Sequence, residues 1–507
     1  MISTMRPLLL LAAICVSTTA PADAGPEKPN LVVFLVDDMG VMDTSVPFLT
    51  NTTGEPETHP LNRFYRTPNM ERLAASGIRF SRFEAMSVCS PTRVSILTGQ
   101  NAARHRTTNW IDPKSDNRGP KGPPEWNWRG LDENSVTLPK VLHAAGYRTI
   151  HVGKGHLGPE GSPGADPLKL GYDENVGGAA TGQPGSYYGN KNYGKGGAHA
   201  VPGLDAYHGT DVFLTEALTR EAKTRMSRAV ADGKPFYLNF AHYAVHAPFD
   251  SDPRFAGNYA GSGKPKQAQA FATLIEGMDR SLGDIMAHLR ELGVAENTLV
   301  VFLGDNGSDS PLGGPHDVGS AAPLRGKKGS HYEGGTRVPF IAAWAAPDPE
   351  NPYQKRVPIA AGTIQGQIAS VCDIFPTLLA AAEVPLPANH TVDGKPLQTL
   401  FAGKPDPSRP REFVMHYPHA PHRSDYFTVF LRDEWKVVYH YFPGKASSGS
   451  HYQLFRLSED PYESHDLAPD HPAELSAMMK GLAESLETMN ALYPTDGKEN
   501  PVKPKMP

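Results

Sequence analysis

The chain has 507 residues, 49 Lys+Arg against 54 Asp+Glu for a formal charge of −5, and hydrophobic, aromatic and charged fractions of 39%, 9% and 20%. These values are ordinary for a folded protein, and the mild acidity excludes a general nucleic-acid or anionic-membrane binder, which needs a basic excess. Gly 49 and Pro 48 predict many ordered loops, while three cysteines, Cys15, Cys89 and Cys372, exclude a disulfide scaffold or a cysteine-rich metal site.

Residues 1–24 read as a secretory signal. Arg6 gives the positive start, Leu8 to Val16 the short apolar core, and Ala20 or Ala24 the small-residue end. That run is too short to span a bilayer. A lipid anchor on Cys15 is the weaker alternative, because Ile14 is large where a small residue ordinarily precedes such a cysteine. No other stretch approaches the ~18 apolar residues of a membrane helix. The mature chain is therefore expected to be exported, periplasmic or secreted, with no membrane span and no nucleic-acid partner.

From there, short apolar runs alternate with amphipathic stretches, the pattern of a large, mostly parallel sheet flanked by helices. Leu31–Val36 is apolar throughout, as a strand buried on both faces must be, and stops at Asp37-Asp38. Thr298–Leu303 stops in the same way at Asp305-Asn306, Tyr147–Val152 leads into Lys154 and His156, and Phe236–Phe240 runs towards His242 and His246. Ligands in open α/β sheets sit beyond the carboxyl ends of strands, so these four ends are expected to meet at one site. Thr67-Pro68 to Gly77 and Thr137 to Gly146 read as punctuated helices, and 211–232 and 266–292 as long ones. Residues 25–385 are taken as one large α/β domain. Residues 386–507 are expected to form a smaller α+β domain, with Tyr426–Leu431 and Lys436–His440 as a hairpin in an antiparallel sheet and Leu475–Leu492 as a closing helix.

The segment Cys89-Ser90-Pro91-Thr92-Arg93-Val94-Ser95-Ile96-Leu97-Thr98-Gly99 is the most informative. Ser90 suits a helix cap, Pro91 a first turn and Gly99 an end. Cys89 is then expected just outside a helix N-terminus, where free N–H groups favour anions. Arg93 lies one turn on, on the same side. A lone cysteine in such a place is ordinarily a buried structural residue. Asp37, Asp38, Asp305 and Asn306 offer only oxygen donors, which suits a hard cation, although a paired Asp-Asp after a strand is, taken alone, more often a turn or cap.

Cys-x-Pro-x-Arg followed by Leu-Thr-Gly resembles the signature of the type I sulfatases, formylglycine-dependent and arylsulfatase-like members of the alkaline-phosphatase-like superfamily. Further landmarks follow in the family's order: Asp37-Asp38, Gly153 to Gly158, His246-Ala247-Pro248, Gly304 to Gly307, and Leu324 to Pro339. The resemblance spans about residues 29 to 470, with Thr92 where Ser is common and Gly155 where Trp often stands.

The resemblance implies an alkaline-phosphatase-like fold with residues 25–385 as the catalytic domain. It implies that Cys89 is oxidised to 3-oxoalanine (Cα-formylglycine) by a formylglycine-generating or anaerobic sulfatase-maturing enzyme. Asp37, Asp38, Asp305 and Asn306, with the modified Cys89, would hold Ca²⁺, Mg²⁺ being the alternative. A hydroxyl of the hydrated aldehyde would attack sulfur, and a general acid, His246, Lys328 or both, would protonate the leaving sugar oxygen. Arg93, Lys154 and Lys328 would neutralise the sulfate oxygens, and His156 would help the second hydroxyl expel sulfate. Counting back from Glu333-Gly334-Gly335 selects Lys328 over Lys327. His105, His416 and His419 are expected to contact the substrate, a sulfated sugar attacked in exo fashion. The alternatives are a phosphoester or phosphonate hydrolase on the same scaffold, or an inactive calcium-stabilised binding protein.

Overall fold

The central strands of the main sheet are buried on both faces. In β1 (Asn30–Val36), Leu31, Val33 and Leu35 enter one core cluster while Val32, Phe34 and Val36 enter another, all essentially sealed from solvent. A strand buried on both sides must read as a continuous apolar run. The computed structural model describes residues 28–312, 320–419 and 425–507. The expected signal at 1–24, with Cys15, lies outside these, as does His422.

The remaining strands in chain order are β2 (Ile78–Phe80), β3 (Phe83–Glu84), β4 (Arg148–Gly153), β5 (Glu174–Val176), β6 (Phe236–His242), β7 (Thr298–Gly304), β8 (Phe340–Trp344), β9 (Thr363–Gln365) and β10 (Ala369–Ser370). Eight of them form one sheet in the order β5-β4-β6-β1-β7-β8-β2-β9, and β3 pairs with β10 separately. From β5 to β7 every pairing is parallel; β8 runs antiparallel to both β7 and β2. The architecture is thus the large, mostly parallel sheet expected, with β4, β6, β1 and β7 as neighbours. Their carboxyl ends share one edge.

Helices cover both faces. On one side the Leu214–Ala231 and Lys266–Glu291 helices bury Leu218, Met226, Leu274 and Leu282 against Phe34 and Phe302. On the other, the Cys89–Thr98 and Ile374–Ala381 helices bury Val94, Leu97, Phe375 and Leu378 against Leu35 and Leu303. Each such side chain contributes about 1.5–3 kcal/mol relative to exposure. Cys372 precedes the Ile374–Ala381 helix in the 3₁₀ turn Val371–Asp373 rather than lying within it. No helix among the described residues is long and apolar enough to cross a membrane.

A second sheet follows in the order β11 (Glu412–Tyr417), β12 (Phe427–Arg432), β13 (Trp435–His440) and β14 (Tyr452–Arg456), antiparallel throughout. Its Phe413, Phe427 and Val429 join the core of the main sheet, while Phe430 and Val437 pack under the helix Pro472–Thr488. That helix starts at Pro472, three residues before the expected Leu475, because proline suits a first turn. It ends at Thr488.

The two sheets are joined through buried charge. Lys436 on β13 is fully buried, with its Nζ 2.9 Å from Glu333 Oε1 and 2.7 Å from Glu463 Oε1. Glu333 also binds Arg337, and its N–H donates to Glu463 Oε2 at 2.7 Å. Gly334 N–H closes the same loop on Arg325 O at 2.7 Å. Breaking a buried ion pair by removing one partner costs about 3–5 kcal/mol. Lys436→Met should therefore lose stability of that order, seen as a lower Tm by calorimetry; an unchanged Tm would show that the network contributes nothing.

Candidate active site

Asp37 continues the face of Leu35, and Asp305 that of Leu303, so both carboxylates point towards the Cys89–Thr98 helix. This helix begins two residues earlier than its sequence suggests. Cys89 is its first residue and Val88 the cap, while Ser90 Oγ instead accepts from Ile111 N–H at 3.1 Å. Gly99 closes the helix in the left-handed region, φ 69°. All ten helix residues are buried.

Cys89 Sγ lies 3.5 Å from Asp37 Oδ1 and 3.9 Å from Asp38 Oδ1. Arg93 donates through Nε and Nη2 to Asp305 Oδ2, at 3.0 and 2.8 Å, and through Nη2 to Asp37 Oδ1 at 3.3 Å. Lys154 follows Gly153, whose φ of +105° and contact with Ala241 O leave no room for a Cβ. Its Nζ reaches both oxygens of Asp37 at 2.7 and 2.8 Å. Lys328 Nζ lies 2.7 Å from Asp38 Oδ1 and 2.8 Å from Oδ2, whereas Lys327 pairs with Asp309 at 2.9 Å. Asn306 donates to Asp38 Oδ1 at 2.9 Å and to Gly307 O at 3.0 Å. Asp38 and His156 both adopt left-handed backbone, φ 58° each. That conformation is costly for a residue with a Cβ and collects at functional sites.

Three buried carboxylates thus meet three buried cations. Burial alone would raise Asp38, but Lys328, His246 and Lys154 outweigh it and hold the carboxyl well below its usual range. Burial and the neighbouring Asp37 raise Asp305 to about 6. Burial pushes the Cys89 thiol up to about 12 against the pull of Lys154 and Lys328. An unmodified Cys89 is therefore a protonated thiol at neutral pH, and the thiolate is the form that attacks or binds metal.

The donor atoms of Asp37, Asp38, Cys89 and Asp305 lie within 4.8 Å of one another. Asn306 Oδ1 is buried there with no hydrogen-bond partner, and an unpaired buried carbonyl costs energy unless something meets it. Three carboxylates and an amide oxygen form a donor set for a hard divalent cation. The residues fit a metal ion.

His156 and His246 close the site. Burial lowers the pKa of both rings, His156 well below its ordinary value and His246 to about 4, with Lys154 and Lys328 respectively adding to the effect. His156 Nε2 bonds Ile111 O at 2.7 Å, and its Nδ1 is buried without a partner. His246 Nδ1 bonds Ala247 O at 2.8 Å, and its Nε2 lies 3.6 Å from Asp38 Oδ2. These two rings, Cys89 and Lys328 line an open pocket of about 920 Å³ with Trp110, Asp112, Pro113, Gly182, Gln183, His199 and Asp309.

A sulfatase family model matches residues 29–384. The chain belongs to the sulfatase family. Mouse N-acetylgalactosamine-6-sulfatase is 31% identical over 404 residues, covering 76% of this chain and 68% of that protein. Human arylsulfatase A is 29% identical over 527 residues, covering 96% and 89%. Among solved structures, Ps i-CgsB in complex with k-i-k-neocarrahexaose superimposes with a TM-score of 0.71 at 24% identity, covering 91% of this chain and 93% of that one. As a sulfatase the protein is a sulfuric ester hydrolase, and its family implies a metal ion and a formylglycine. The buried Asp and Cys cluster is where such an ion fits.

The three histidines expected to contact substrate lie elsewhere. His105 binds Ser95 Oγ through Nε2 at 3.1 Å and accepts Thr107 N–H on Nδ1 at 3.2 Å. His416 binds Thr428 Oγ1 and Leu492 O, both at 2.7 Å. His419 binds Thr108 Oγ1 at 2.7 Å and Arg118 O at 3.0 Å. Both ring nitrogens of each are committed to the protein, and none lines the pocket. Gln183, His199 and Asp309 line it instead and carry no motif that a sequence would reveal. His242 is buried with Nε2 on Ser281 Oγ at 3.0 Å and does not line the pocket.

Two predictions follow from this geometry. Burial holds His105 and His419 at about 3 and His416 at about 4, below the ~6.5 of an unfolded histidine. The unfolded chain then binds more protons below pH 6.5, so the stability from neutral burial is present above 6.5 and lost as pH falls towards 4. Each histidine contributes about 1.4 kcal/mol per pH unit over that window. Denaturant unfolding at pH 7 and 5 should show this loss, and His416→Gln should make the pH dependence shallower. Secondly, a divalent cation at a hundred times its Kd should stabilise the protein by about 2.7 kcal/mol. Calorimetry should show Tm rising with metal and falling on chelation, and Asp305→Asn should abolish the response.

Proposed function

We propose that the protein is an exo-acting carbohydrate sulfatase whose nucleophile is Cys89 after conversion to Cα-formylglycine, with Ca²⁺ held by Asp37, Asp38, Asp305, Asn306 and the modified residue 89. The observation that carries this reading is the position of Cys89. It is the first residue of a buried helix, ringed by those oxygen donors and by Arg93, Lys154 and Lys328, and it lines the pocket. A carbohydrate ester is supported by the kinship with a protein named N-acetylgalactosamine-6-sulfatase and the fold likeness to one in complex with k-i-k-neocarrahexaose. An exported location, periplasmic or secreted, is part of the same reading, as is prior action of a formylglycine-making enzyme.

The modified residue supplies a hydroxyl nucleophile, and the cation lowers its pKa. The chain's own side chains do the rest. Lys328, at the pocket, and Lys154, buried behind it on Asp37, hold fixed positive charge beside the carboxylate cluster where a sulfate ester would place its oxygens, and preorganised charge of this kind is usually the largest catalytic contribution. Arg93 anchors the geometry by tying Asp37 to Asp305. The Ala247 carbonyl takes the Nδ1–H of His246, so Nε2 is the atom that exchanges a proton with the departing sugar oxygen. A ring held at about 4 is a strong acid once charged, and the adjacent anionic ester favours the charged form. The Ile111 carbonyl takes Nε2–H of His156, leaving Nδ1 as a proton acceptor for the second hydroxyl.

Cys89→Ala should fold with a near-native Tm and release no sulfate from 4-nitrophenyl sulfate or a sulfated N-acetylhexosamine. Mass spectrometry of the tryptic peptide around residue 89, from protein made in its native host, should show loss of the thiol and gain of an aldehyde. An unmodified thiol in protein that turns over, or turnover by Cys89→Ala, means a different nucleophile.

A further inference from the structure

We propose that Asp112 makes this site selective for sulfate esters whose sugar carries no second anionic group beside the ester. The inference rests on the carbohydrate sulfatase reading above and adds which sulfated sugars it takes.

The rim is built around Ile111. Its side chain is fully buried, its N–H is held by Ser90 Oγ at 3.1 Å, and its carbonyl by His156 at 2.7 Å. Pinned on both sides to the helix of Cys89 and to a catalytic histidine, Ile111 presents its neighbours Trp110 and Asp112 to the pocket. Asp112 Oδ1 accepts Lys114 N–H at 2.9 Å, Ser115 N–H at 3.0 Å and Ser115 Oγ–H at 3.3 Å. The carboxylate is therefore fixed in direction. Its Oδ2 makes no hydrogen bond to the described residues.

On the same rim, Thr181 Oγ1 donates to the Gln183 backbone carbonyl at 2.7 Å and bonds His199 Nδ1 at 3.1 Å, and Gln183 and His199 both line the pocket. Among the described residues that line the pocket, Lys328 is the one Lys or Arg, and it is paired with Asp38. The charge of Asp309 is matched by Lys327 at 2.9 Å. Asp112 has no such match among the described residues, and exposed Lys114 does not line the pocket. Beyond the sulfate cradle, the described rim thus offers an aromatic face, an amide and an imidazole for hydrogen bonding, and the carboxylate of Asp112. A neutral pyranose suits all of these: its ring lies on Trp110, and a hydroxyl or amide N–H donates to Asp112 Oδ2. A second sulfate or a carboxylate would meet Asp112 at close range, and like charges brought together across an interface are how a site rejects a competitor.

The test compares kcat/KM for a singly sulfated N-acetylhexosamine with that for the same sugar carrying a second sulfate, 4-nitrophenyl sulfate serving as a reference. The native, modified enzyme should favour the single sulfate by about tenfold at low salt, and the preference should shrink as salt screens charge beyond ~10 Å at 0.1 M. Asp112→Asn keeps the Oδ1 acceptor of the turn and removes the charge, and should cut the preference to near unity. A wild-type preference for the doubly sulfated sugar, or none, overturns the inference while leaving a sulfatase. A preference insensitive both to salt and to Asp112→Asn overturns the role of Asp112. If that variant does not fold, the salt dependence of the wild type alone decides. Release of sulfate from the aryl ester but from neither sugar overturns the carbohydrate reading, and this inference with it.

Discussion

Everything at this site depends on keeping three carboxylates and three cations out of water at the edge of one sheet. Asp37, Asp38 and Asp305 are completely buried, and Lys154, Arg93 and Lys328 nearly so. Each isolated charge would cost several kcal/mol to desolvate, and the cost is offset because every one is paired at hydrogen-bonding distance. The parallel topology makes this affordable. Because β4, β6, β1 and β7 are neighbours and run the same way, their four loops deliver Lys154, His246, Asp37 with Asp38, and Asp305 with Asn306 to one small volume without long connections.

The same logic extends to the second sheet. Lys436 has no water to hydrate it, so Glu333 and Glu463 must stay in place, and Glu333 belongs to the loop that carries Lys328. Arg325, at the start of that loop, donates to the carbonyl of Glu463 at 2.9 Å. A small antiparallel sheet remote in sequence from Cys89 therefore fixes the backbone that aims a lysine at Asp38. Separating the two layers would strand buried charge on both sides, a stronger coupling than apolar contact alone provides.

Much of this was legible in the sequence, because both strands and their functional ends leave a local trace. Leu31–Val36 and Thr298–Leu303 read as buried strands because a two-sided strand has no polar face, and Asp37, Asp38, Asp305 and Asn306 break those runs abruptly. The order of the strands in the main sheet was not legible, since it is set by pairing across as many as 285 positions, as between Ile78 and Thr363. His105, His416 and His419 misled for a related reason. A polar residue near an aromatic cluster reads as surface chemistry, and nothing local reveals that Thr108 or the Leu492 carbonyl will occupy its ring nitrogens. The rim was silent: Gln183 and His199 meet through Thr181, in a glycine-rich stretch without periodicity.

The burial that makes the site work also constrains how it can be made. The Cys89 thiol is 2% exposed, and burial pushes it to about 12. In the folded chain it is therefore inaccessible to a second protein and chemically inert as a thiol. Arg93, Thr92 and the rest of the helix are sealed with it, so a modifying enzyme could not reach residue 89 by displacing one side chain. It would have to take the segment from Cys89 to Arg93 as an extended peptide, before β1 and β7 close over it. A short, locally contiguous motif is what such an encounter can read. The residues proposed to serve catalysis are spread from Asp37 to Lys328, because only the finished sheet brings them together. On the reading proposed above, one cysteine would have to satisfy two readers, an enzyme that sees a peptide and a fold that sees a sheet edge, and the buried charge that closes around it would set their order.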